Sequence, residues 1–296
     1  MNSNYYWPVY KNIESEFNNL MFNIHIDDKQ LDVYSSKISD LILRASTEIE
    51  SLSKELYKIN GGEKSGNIKY DENAITFLNN LWKLDAKKVI ISSYNCFTTN
   101  KELSPFVKNE IRTGSTRLTY SWNNSYQNLK HDRANSFTFG SIKYLFDVTS
   151  ALYLLNIYFK DESFDLKDNE KGSNFDFSLG SSIFSIKPHI NSEISLENNF
   201  KKNVDFDECV YLVKPTDTTR EQVQEVLKKM NLDLFEITKK EVNLRILGIT
   251  DQLKIDEIIN KVISENIGVA GRMHGSSFSN AFKNLRYEGV LNKNQF

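Results

Sequence analysis

The apolar run over residues 137–159, FTFGSIKYLFDVTSALYLLNIYF, constrains this chain more than any other stretch. From about residue 138 to 159 it reads as a helix apolar nearly all round, and such a helix has to be wrapped by other elements. A bilayer is a poor wrapping. The best span, residues 144–159, falls short of the ~20 residues that a crossing needs and carries Asp147 and Asn156. The expectation is therefore a core helix and no membrane contact.

Its partners are legible upstream. Over 36–57 the residues Ile38, Leu41, Ile42, Ala45, Ile49, Leu52 and Leu56 recur at three- and four-residue steps, one face of an amphipathic helix. Arg44, Glu48, Glu50, Lys54 and Glu55 lie on its polar face, and Gly61-Gly62 is a stop signal. A second helix fits 73–84, with Ile75, Leu78, Leu81 and Trp82 on one side. Residues 85–115 are mixed, with the run VIISSY and a turn at Ser104-Pro105, and a further helix runs up to Lys130. Together these make a bundle of four or five helices.

Residues 160–174, KDESFDLKDNEKGSN, carry dense charge and suggest a division into a helical domain 1–160, a charged linker 161–175 and a smaller α+β domain 176–296. In the last part a strand is expected at 209–213. A helix capped by Thr218 and Glu221 follows and ends at Asn231, then paired strands at 234–237 and 242–246. A helix at 251–265 and a strand at 267–270 complete the order β-α-β-β-α-β of a ferredoxin-like sandwich, and a polar helix at 278–290 comes after it. The overall class is α+β.

The net charge of −2 excludes wholesale coating of nucleic acid, so any such contact needs a local basic patch. The pairs Lys201-Lys202 and Lys239-Lys240 are too short to mark a groove. Cys96 and Cys209 stand far apart without metal-ligand spacing and read as reduced thiols of a cytoplasmic protein. The start, MNSNYYWPVYKNIESEF, lacks the basic and apolar regions of a signal peptide. No zinc spacing, P-loop, GxGxxG or GxSxG occurs, so neither a metal nor a cofactor is expected.

Chemistry gathers in WNNSYQNLKHDR at 122–133. The imidazole of His131 is suited to moving a proton at a ribose 2′-hydroxyl. Arg133 offers a planar fork for phosphate, Lys130 a point charge, Asn128 an amide on the His131 face, and Tyr126 lies within reach. His131 and Arg133 converge only if the helix ends near Lys130. An ordinary alternative stands beside this: cations crowd the last turn of many helices because the terminal carbonyls are partly negative. Arg272-Met273-His274 before Gly275-Ser276-Ser277 reads as a polar loop, either solvated or anion-binding. His25, in the alternating FNIHID, reads as a strand or turn residue, and His189, after Pro188, has no partner in sequence.

The segments LILRASTEIESLSKELY, LSP at 103–105, SWNNSYQNLKHDR and the closing apolar helix resemble HEPN-type helical proteins of abortive-infection, phage-defence and toxin systems, over residues 15–160. The most specific part is Trp122, Tyr126, Asn128, Lys130, His131 and Arg133. The resemblance implies a metal-independent endoribonuclease acting on RNA, with His131 and Arg133 catalytic, Asn128, Lys130 and Tyr126 binding substrate, and no cofactor. It also implies a homodimer through the motif-bearing helices. The apolar face at 145–159 suits such an interface, as it suits core packing. Glu48 and Glu55 either line the cleft or are solvated. One departure matters: the family's arginine precedes its histidine by four to six residues, and here those positions are Gln127, Tyr126 and Ser125. Two readings therefore stand, a divergent nuclease and a non-catalytic module that binds RNA, a nucleotide or a protein.

Overall fold

The computed structural model describes residues 5–91, 97, 99, 101–168, 172–191 and 202–295. The long apolar run forms α5 (Ile142–Lys160), with fourteen buried residues distributed around the whole helix. It is the axis of the molecule. Around it pack α1 (Tyr6–Asn23), α2 (Ser36–Ile59) and α4 (Ser121–His131). A shorter helix, α3 (Ile75–Trp82), leaves a π-turn at Tyr70–Ala74, and Trp82 stacks on Tyr158 of α5 at 4.5 Å. The 145–159 face is thus consumed by the chain's own core and is not open to a partner.

The seven apolar residues expected on one face of α2 are all buried. The helix begins because the Ser35 hydroxyl accepts from the Ile38 N–H at 3.2 Å, satisfying one of the donors that a helix start leaves unpaired. Ser39 sits against the start of α5: a Cβ on Gly140 would lie 2.0 Å from its hydroxyl oxygen. Only a residue without a side chain lets the two segments pass this closely.

Three small sheets flank the bundle. β1 (Val89–Ile91) lies between β2 (Lys101–Leu103) and β6 (Phe184–Ile186), both antiparallel to it. β3 (Lys108–Ile111) and β4 (Leu118–Tyr120) form a hairpin. The third sheet has the order β5 (Phe164–Lys167), β9 (Tyr287–Leu291), β8 (Tyr211–Pro215), β7 (Pro188–Ile190), with only β7 and β8 parallel. The class is α+β, with about 58% helix and 13% strand among the described residues.

Five expectations are corrected. The charged segment 161–175 supplies β5 instead of a linker: Asp165 and Lys167 face out while Leu166 is buried and Phe164 packs on Tyr211 at 5.7 Å. Because β6 pairs with β1 and one core cluster runs from Tyr10 to Leu291, the 1–160 and 176–296 parts share a core. The ferredoxin-like order is absent. Residues 234–237 and 242–245 lie in α6 (Asp217–Arg245), which Ile246 caps, and residues 267–270 in α7 (Gln252–Met273). The cap of α6 is Thr216, not Thr218. After α8 (Gly275–Lys283) the expected C-terminal helix gives way to β9. Helices α6, α7 and α8 form an arm inserted between the neighbouring strands β8 and β9.

No helix among the described residues is long and apolar enough to cross a membrane.

Candidate functional site at the end of α4

Helix α4 carries unusually polar residues on its buried side, and each has a reason to be there. Tyr70 donates to the Asn123 side-chain oxygen at 2.5 Å, and Asn123 donates to Thr119 at 3.1 Å. The Gln127 amide reaches the Tyr70 hydroxyl at 3.0 Å. Asn124 donates to Glu110 of β3 at 3.0 Å and accepts from the Thr113 N–H at 3.1 Å. Asn128 donates to the Thr113 hydroxyl at 2.9 Å and to the Asn124 carbonyl at 2.8 Å. Buried amides need such partners, and here they fasten the hairpin to one side of α4 and the π-turn to the other. Trp122 locks the start, its indole N–H donating to the Pro105 carbonyl at 2.8 Å.

The helix stops at His131, close to the expected position. The imidazole is exposed and makes no hydrogen bond or ion pair among the described residues. It stands one helical turn beyond Gln127 and three residues beyond Asn128. Lys130 lies over the Tyr126 ring, 5.1 Å from its centre, with the Tyr126 hydroxyl 3.3 Å from the ammonium. Tyr126 itself is buried, so it supports Lys130 and does not offer a face to a base.

Arg133 goes elsewhere. Its guanidinium pairs with Asp40 of α2 at 2.8 Å and donates to the Ser36 carbonyl at 3.1 Å. It ties the turn after α4 to the start of α2, and the expected convergence with His131 is not what the structure brings together.

The hairpin supplies cations that inspection of the sequence passed over. Its turn is closed by Arg112 N–H to Arg117 O at 2.9 Å, with Gly114 at φ 72°. The guanidinium groups of Arg112 and Arg117 make no hydrogen bond or ion pair among the described residues. With Lys108, Thr119, Asp71 and Glu72 they line a cleft of about 210 Å³. Lys108 and Tyr120 form a shared wall with an adjoining cleft of about 330 Å³ that reaches Asn79 and Asp85. The acids on the far wall are partly engaged: Glu72 pairs with Lys69 at 2.8 Å, and Asp71 accepts from the Glu72 N–H at 2.9 Å. The sequence signal was available, since three asparagines inside a short helix are unfavourable unless something binds them.

A half-buried acid lies at the other end of α4. Asp147 accepts from the Ser121 hydroxyl at 2.5 Å. Burial pushes its carboxyl up to about 6 despite Ser121 and the Lys143 ammonium, with Glu110 adding to the rise. Because the folded value exceeds the unfolded one of about 3.9, its contribution to stability is complete below pH ~4 and is lost as pH rises through 6. Asp147→Asn is expected to stabilise the protein by about 1–2 kcal/mol at pH 7.5. It should also flatten the fall in melting temperature between pH 4 and 7, and an unchanged pH profile would refute the assignment.

The remaining candidates have structural roles or none visible. His274 caps α7 and meets Asp233 of α6 at 2.8 Å, so the expected polar loop at 272–277 is a helix junction. His189 is buried on β7 against Phe206, with burial lowering its pKa. His25 is an exposed loop residue. Glu48 and Glu55 stay half-buried on α2. Cys209 is buried and unpaired to sulfur, its thiol pushed up to about 12 by burial; Cys96 and Lys201 lie outside the described residues. Lys202 covers the Phe206 ring and Lys239 the Phe235 ring.

Compared with known families, curated proteins and solved structures, the chain matches none.

Proposed function

We propose that this protein acts on RNA, holding the phosphate backbone along the β3–β4 hairpin and the end of α4, with His131 moving the proton in strand cleavage. The observation that carries the reading is the unpaired guanidinium pair of Arg112 and Arg117, joined through Thr113 and Asn128 to a helix that ends in Lys130 and an unengaged imidazole. Unpaired Arg forks beside a cleft suit bidentate contact with phosphate. In cleavage the 2′-oxygen attacks the adjacent phosphorus and His131 takes the hydroxyl proton. The bond to the 5′-oxygen breaks, leaving a 2′,3′-cyclic phosphate, and the 5′-oxygen receives a proton. Lys130 supplies positive charge near the phosphate. The HEPN resemblance over 15–160 points to the same chemistry, in a cytoplasmic defence or toxin setting.

The second reading, a module that binds RNA without cutting it, is favoured by one specific feature. Arg133 is committed to Asp40 and is not available to a transition state.

Purified protein, His131→Ala and the double variant Arg112→Glu/Arg117→Glu are incubated with total RNA and tRNA in EDTA, and affinity for a labelled single strand is read by anisotropy. We expect cleavage by the wild type, none by His131→Ala at near-wild-type affinity, and roughly hundredfold weaker binding by the double variant. Its salt dependence should be shallower by about 1.4 in log–log slope, the loss of two phosphate contacts. Binding without cleavage selects the second reading. No binding by the wild type overturns both.

A further inference from the structure

The arm is the largest part of the chain that the proposed activity leaves unused. Helix α6 is 29 residues, about 43 Å long. Its buried residues, Thr219, Val223 and Gln224, all lie in the first two turns, where it meets the body. Beyond them α7 and α8 run back beside it, held by Asn266 to Glu241 at 2.9 Å, Arg245 to Glu265 at 2.8 Å and His274 to Asp233 at 2.8 Å. A layer of two helices cannot close over an apolar stripe that is about 100° wide on each. The stripe is accordingly closed only in part: Val262, Asn266 and Ala270 of α7 are buried, while Leu234, Ile237, Ile259 and Ile263 are only half-buried.

The outside is wetter still. Leu232 and Phe235 on α6, Leu244, Leu247 and Leu253 at the tip, and Ile267 on α7 are each exposed by 54–76%. Side chains so exposed put several hundred Å² of apolar surface in water, of the order of the ~800 Å² that one partner brings to a standard interface. The charge pattern selects the occupant. Between residues 217 and 283 acids and bases are equal in number and interleaved. Such a surface has no net field with which to draw RNA or an anionic bilayer, and it meets its own copy without net repulsion.

We propose that the arm docks a second copy of this chain, two arms packing side by side about a two-fold axis through the outer face of α6. Leu232 and Phe235, on the side of α6 turned away from α7, then face the same pair on the other copy. The dimer leaves α4 and the hairpin exposed on both bodies.

Sedimentation equilibrium of the full chain tests this. The wild type is expected to be a dimer at micromolar concentration. Leu232→Glu/Phe235→Glu is expected to be a monomer of unchanged helix content, with dissociation constant raised at least about thirtyfold, the cost of losing a central apolar anchor. Phe22→Ser, which removes a 92% exposed ring from α1, controls for general loss of surface apolarity and stays dimeric. A monomeric wild type overturns the proposal, as does a dimer that survives the double substitution. A monomer that co-floats with anionic vesicles would assign the arm to lipid instead.

Discussion

Glu14→Ala is expected to lower the unfolding free energy by about 3 kcal/mol, among the largest effects of any single polar substitution here. Glu14 is 2% exposed and accepts from the Tyr10 hydroxyl at 2.8 Å, the Ser182 N–H at 2.9 Å, the Ser181 hydroxyl and the Lys11 ammonium. The carboxylate joins α1 to the loop before β6 by gathering donors from both. Removing it strands those donors, although Tyr10 and Ser181 can still bond each other at 2.9 Å. Burial by itself would raise the carboxyl's pKa; the bonds from Lys11, Ser181, Tyr10 and Ser182 outweigh it and hold the group below its ordinary value. The stabilisation is therefore complete above the unfolded-state value of about 4.3 and is lost as pH falls through the lowered folded one. Urea titrations of wild type and Glu14→Gln from pH 3 to 7 read this directly. The wild type should lose stability more steeply below pH 4.3, and parallel curves would show that the carboxylate carries no such load.

Trp122→Ala is expected to cost about 3–5 kcal/mol, lowering the melting temperature by roughly 10 °C. The ring is fully buried, parallel to Tyr120 at 5.5 Å, edge-on to Phe106 at 6.5 Å and bonded to Pro105. This one side chain holds the start of α4 against the strand that carries Lys108 and the hairpin. If the proposed RNA contact holds, the damage should therefore appear in that affinity as well as in stability. Trp122→Phe, which keeps most of the packing and loses the indole N–H, should cost nearer 1–2 kcal/mol. A melting temperature within about 2 °C of wild type for the alanine variant would mean that the ring is not part of the core.

What could be read from residues alone follows a physical divide between local and distant pairing. α2 was legible because seven apolar residues repeat on one face, and α5 because an all-round apolar helix has few other uses. The arm was not. Leu234, Phe235 and Ile237, then Val242, Leu244 and Ile246, look strand-like in short windows. The steps 223, 227, 230, 234 and 237 reveal the helix only across about four turns. β5 was hidden because two apolar residues at alternate positions are swamped by charge. The place of the candidate site was legible in WNNSYQNLKHDR, but its wiring was not. Asp40, which takes Arg133, is remote in sequence, and Arg112 and Arg117 belong to a hairpin with no apolar alternation to announce it.

The arm also bears on the order in which the body closes. β8 and β9 are adjacent, and the Thr216 N–H bonds the Arg286 carbonyl at 2.9 Å, yet the whole of 217–283 separates them. Pairing two strands across so long a flexible stretch is slow, because the entropy of closure is lost before any contact is gained. A helical hairpin forms through near-neighbour contacts in microseconds and returns the chain to its starting point. Once α6 has met α7 and α8, residues 216 and 286 are held as neighbours, and β9 enters the sheet almost as the second strand of a short turn.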